Sequence, residues 1–185
     1  MNLVLPVKNL KSKRYKKGFT LIELLVYAAI FVIIGAVVSS YFIQIINSTE
    51  ISRRSRESLD NARSVMSTIT QEVRHSSAVY TPTSVFGTNP GQLSLETTRD
   101  LPADENTTYV DFYVDDGRVY MKRESQTEEL ATSEKVQITD LTFTHLTGGG
   151  VSAVQINLTV QYSDAFSGPS TPVTLSQTAS LRGAY

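Results

Sequence analysis

Lys16-Lys17-Gly18-Phe19-Thr20-Leu21-Ile22-Glu23 leads into residues 24–46, LLVYAAIFVIIGAVVSSYFIQII, a run without a charged side chain. As a helix this run spans roughly 34 Å, enough to cross a bilayer hydrocarbon core of about 30 Å. Six basic residues, Lys8, Lys11, Lys13, Arg14, Lys16 and Lys17, precede Gly18, and no acid does. A basic cluster beside an apolar span stays cytoplasmic and sends the following chain outward. The expectation is a single-pass anchor in the inner (cytoplasmic) membrane carrying an extracytoplasmic body.

A secretory signal peptide is the competing reading, with Val38-Ser39-Ser40 as a small-residue cleavage site. Two features argue against it. Glu23 stands where such a peptide is apolar, and the apolar run continues past the cut through Tyr41, Phe42, Ile43, Ile45 and Ile46.

The residues from Lys16 to Glu23 resemble the processing motif of type IV prepilins and type II secretion pseudopilins. The resemblance implies that a prepilin peptidase/methyltransferase cuts between Gly18 and Phe19 and methylates the new Phe19 amine. Lys16 and Lys17 would then be leader charge. It also implies assembly with other pilin-like subunits by an inner-membrane platform, and it gives Glu23 a partner, the N-terminal amine of a neighbouring subunit. The chemistry is consistent with this. Gly18 has no side chain to obstruct a peptidase, and removing the leader frees the segment from the cytoplasmic face. A carboxylate within a membrane segment is costly and marks a partner, the alternative being an acid that snorkels near the helix end. Tyr27, Ser39, Ser40 and Gln44 are read as packing groups. Gly35 allows close helix approach, and no proline kinks the run.

The chain has 185 residues, no cysteine and a formal charge of -1. Without cysteine there is no disulfide, thiol catalysis or Cys-based metal centre. Loss of the six leader cations takes the basic count from 17 to 11 against 18 acids, a body charge of -7, which disfavours direct nucleic-acid binding.

Beyond Ile46 the sequence stays helical but turns charged, through Glu50, Arg53, Arg54, Arg56, Glu57 and Asp60. The arginines either bundle neighbouring stalks or solvate an exposed face. Leu59, Ala62, Val65, Met66, Ile69 and Val73 then recur as one buried stripe. One helix from about residue 20 to 75, roughly 80 Å long, is expected. Its second half needs a surface to cover, and the rest of the chain supplies period-two alternation. Val154, Ile156, Leu158, Val160 and Tyr162 share one face, and Val173, Leu175, Ala179 and Leu181 repeat the pattern. Asp116-Gly117 predicts a hairpin between 109–115 and 118–123. Gly148-Gly149-Gly150 leads into a strand, not a helix, and is read as a turn between 136–146 and 151–162 rather than a phosphate loop. Residues 76–106 read as irregular with a short strand at 92–96. The fold class is α+β, a long N-terminal helix packed on an antiparallel β-sheet, pilin-like. The expected divisions are a removed leader, 1–18; a transmembrane, filament-core half-helix, 19–46; an amphipathic half-helix, 47–76; and a sheet body, 77–185, with no appended domain after Tyr185. The element order resembles the minor pseudopilin J or minor pilin W branch.

His75 at the helix end and His145 in a strand lack a catalytic partner, no G-x-S-x-G motif occurs, and no enzyme activity or cofactor is expected. Asp100, Asp104, Glu105, Asp111, Asp115 and Asp116 fit no EF-hand spacing, so no metal site is assigned. Two functions remain: a structural, low-abundance filament subunit, or an anchored ligand-binding or adhesion module that never polymerises. Glu23 favours the first, since a mere anchor gains nothing from an intramembrane acid.

Overall fold

The computed structural model describes residues 18–101, 103–163 and 171–182. Leader residues 1–17, including Lys16 and Lys17, and Tyr185 lie outside the described residues. Helix α1 runs from Leu21 to His75, and contacts divide the chain into two compact units, Met1–Ile46 and Asn47–Tyr185.

In the first unit, the described residues are helical from Leu21 onward, and every one of them is exposed. The helix is long and apolar enough to cross a membrane, and none of its most apolar window is buried by protein. Burying such a surface is favourable, so a lipid bilayer or other helices must cover it.

In the second unit, α1 presents Ala62, Val65, Met66, Ile69 and Val73 to the core, all buried. Leu59 is only half-buried, and Ser58 takes the buried position beside it. The helix ends at His75, whose Nδ1 lies 2.8 Å from the Gln71 carbonyl, while the Ser76 hydroxyl donates to the Glu72 carbonyl at 2.6 Å. The Ser76 hydroxyl thus occupies a carbonyl of the last turn, and cationic Arg74 in the same turn suits the dipole.

Eight strands follow: β1 Ala78–Val79, β2 Leu93–Thr97, β3 Thr108–Asp115, β4 Arg118–Arg123, β5 Glu129–Leu130, β6 Val136–Gly148, β7 Val151–Tyr162 and β8 Val173–Ser180. All pairings are antiparallel. The expected alternation holds in β7, where Val154, Ile156, Leu158, Val160 and Tyr162 are buried and the residues between them half-exposed.

The strands form two sheets, β1-β2-β3-β4-β5 and β6-β7-β8, where the sequence suggested one. The reason lies at the outer edge of β6. There the irregular segment 87–91 occupies the backbone groups that another strand would use. Gly87 N donates to Phe143 O at 2.9 Å and Gly91 N to Leu141 O at 2.8 Å. The Asn89 amide acts as a backbone substitute, donating to Thr139 O and accepting from Leu141 N. The Thr139 contact falls at the register shift between Ile138 and Asp140. A Cβ on Gly91 would sit 3.1 Å from both Leu141 O and a Phe143 ring carbon, so the close approach suits glycine. The two sheets nonetheless share one core with the helix, including Phe112 from β3 and Phe143 from β6.

Candidate functional site

Gly18, Phe19 and Glu23 lie together at the start of α1. Gly18 and Phe19 precede the helix, and Phe19 is 73% exposed. Among the described residues, a Cβ at Gly18 would meet nothing within 4 Å. The Phe19 ring meets Tyr27 edge-on at a centroid distance of 6.0 Å, which gives Tyr27 a local packing contact.

Thr20 is the N-cap. Its hydroxyl accepts from Glu23 N at 3.4 Å, a long bond, and its carbonyl accepts from Leu24 N at 3.2 Å. Thr20-x-x-Glu23 has the spacing of a capping box, and Glu23 is the acid of the first turn. A carboxylate there is favoured by the helix dipole. The sequence reading missed this second role, although the T-x-x-E spacing announces it. Glu23 is exposed, so its carboxylate is open to a group from outside the chain.

The other candidate residues are dispersed. His145 Nε2 lies 2.8 Å from the Ser152 hydroxyl and its ring stacks on Phe86. Among the described residues no group of three or more His, Asp or Glu is placed to hold a metal ion. Several acids instead face cations: Asp111 is opposite Lys122 and Asp115 opposite Arg118 in the β3–β4 register, while Asp100 lies 3.9 Å from Arg123. Arg53 and Arg56 are exposed, but Arg54 is half-buried, 6.0 Å over the ring of Tyr162, so it does more than solvate a face.

Two polar arrangements escaped the sequence reading. Glu72, buried within the apolar stripe, accepts from Arg123 at the end of β4 at 2.7 Å. On the outward face of β3 and β4, Tyr113 stacks on Tyr120 and donates to Glu128. That bond to a carboxylate, followed by burial and the Glu128 charge, pushes the Tyr113 phenol up to about 12. Burial, then the charge of Glu96, also raises Tyr109. An acid in the helix stripe hinted at the first arrangement, but its partner is 51 residues away.

A family model described as the prokaryotic N-terminal methylation motif matches residues 13–39. The match contains Gly18, Phe19 and Glu23 and stops well short of the sheets. No curated protein and no solved structure matches the chain. The chain thus carries a prepilin-type methylation motif on an apolar helix that is followed by antiparallel sheets, a pilin-like α+β layout. Such a motif supports the pilin and pseudopilin family and processing by prepilin peptidase.

Proposed function

We propose that this chain is a structural subunit, of the minor pilin or pseudopilin kind, in a type IV pilus-like or type II secretion filament. Prepilin peptidase cuts between Gly18 and Phe19 and methylates Phe19. The anchored subunit then enters a filament through its N-terminal helix, with Glu23 meeting the amine of a neighbour. The division into leader, anchor half-helix, amphipathic half-helix and sheet body follows from the same reading.

The observation that carries it is the coincidence, at one helix start, of the methylation motif, an accessible Gly18–Phe19 bond and an exposed Glu23 opening an uncovered apolar helix. An isolated anchor requires the apolar run but no acid within it. The test is the intact mass of the membrane form, expected to equal residues 19–185 plus one methyl group. A chain retaining Met1, or starting at Tyr41, overturns the reading. Replacing Gly18 with a bulky residue should leave the uncut precursor in the membrane.

A further inference from the structure

We propose that the groove between α1 and β8 is a docking site for an extended acidic segment of a partner polypeptide, which adds as a strand along β8. The apolar alternation Val173, Leu175, Ala179, Leu181 is interrupted by Gln177, which is exposed, and Leu175 is only half-buried. Helix and strand part there, leaving a groove of about 820 Å³. Its cationic lining is Arg63, Arg74 and Arg182, and among the described residues no carboxylate lines it. Asp60 approaches Arg63 only to 4.0 Å, from along the helix. At the groove wall Thr70 is 4% exposed, yet among the described residues its hydroxyl has no hydrogen-bond partner. A buried hydroxyl left so is unfavourable.

The occupant's class follows from two features. β8 is the last strand of its sheet, and among the described residues its outer edge pairs with no other strand. A row of open backbone donors and acceptors is matched by another polypeptide backbone, in the manner of strand addition. The cationic lining then selects acidic side chains on that segment. A nucleic acid offers negative charge but no matching backbone, and the acidic body opposes general polyanion binding. The groove lies wholly within Asn47–Tyr185, so the inference does not rest on processing at Gly18 or on Glu23.

The experiment uses the full chain in detergent micelles and a fluorescent eight-residue peptide alternating glutamate and valine. Binding should weaken as salt rises. It should fall at least about tenfold in R63E/R74E, or when alternate peptide nitrogens are methylated so that they no longer donate. The double variant should in turn take up the lysine–valine counterpart, which also shows that it is folded. Equal binding of heparin or oligo-dT, or indifference to backbone methylation, overturns strand addition in favour of a plain anion patch. Self-association of the chain that R63E/R74E abolishes overturns the partner assignment in favour of a second copy.

Discussion

Glu23 stands in the first turn of α1, where two demands meet: the helix start favours an acid, and the membrane disfavours one. Substitutions separate them. Glu23→Gln keeps a residue able to complete the capping box but removes the charge. If the carboxylate meets a neighbour's amine, Glu23→Gln and Glu23→Ala should both insert and be cleaved yet enter filaments at least about tenfold less, a loss of roughly 1.4 kcal/mol or more. Parental incorporation of Glu23→Gln would reduce Glu23 to a helix cap. Tyr113 carries a second prediction at this scale. Its hydrogen bond to Glu128 favours the protonated phenol in the folded state, whose pKa of about 12 exceeds the unfolded value of about 10. The resulting stabilisation is fully present below pH about 10 and is lost as pH rises through about 12. Near-UV titration should therefore show one phenol ionising late, and Glu128→Gln should return that step toward the ordinary range. An unchanged titration would remove Glu128 as the cause.

The β3–β4 hairpin shows how turn chemistry sets a whole element. Asp116 and Gly117 both have positive φ, 45° and 69°, the two-residue turn that matches the twist of an antiparallel pair. The Gly117 carbonyl also accepts from Ile138 N at 2.8 Å, tying this turn to β6. A Cβ on Gly117 would lie 2.8 Å from Gln137 Cγ. Since the Gln137 side chain can move aside, backbone strain dominates the cost. Gly117→Ala should lower stability by about 1–2 kcal/mol in denaturant melts. Gly149→Ala, also at positive φ but in open space, tests the strain alone. The two costs should be similar; a Gly117→Ala cost well above that of Gly149→Ala would mean that the contact with Gln137 dominates instead.

Across the body, helix and first sheet are joined by one buried charge pair as well as by apolar packing. Glu72 and Arg123 have side chains 8% and 17% exposed. Removing one partner leaves a buried charge uncompensated, so Arg123→Ala should cost about 3–5 kcal/mol, whereas replacing both with apolar residues of similar size should be near neutral. Thermal melts of the two single variants and the double close the cycle. If the single variants melt with the parent, the pair is not what aligns α1 on the sheet. A second tie is polar and local: Asn61 Oδ1 accepts from Ser133 N at 2.9 Å and holds the segment before β6 to the helix.

Features that depend on neighbours along the chain can be read without the fold. The uncharged run 24–46, the stripe through Val65 and Ile69, the Asp116-Gly117 turn and the alternation of β7 are periodic or adjacent signals, and each corresponds to an element. The methylation motif around Gly18, Phe19 and Glu23 was legible for the same reason, because it is contiguous. Only the tertiary structure decided how the strands divide into two sheets, since that turns on the Asn89 amide meeting β6 about fifty residues later. It also decided the Glu72–Arg123 pair and the basic groove beside β8. In each case the partners come from distant stretches, and charge or hydrogen-bonding capacity does not reveal which distant group it will meet until the core has brought the two together.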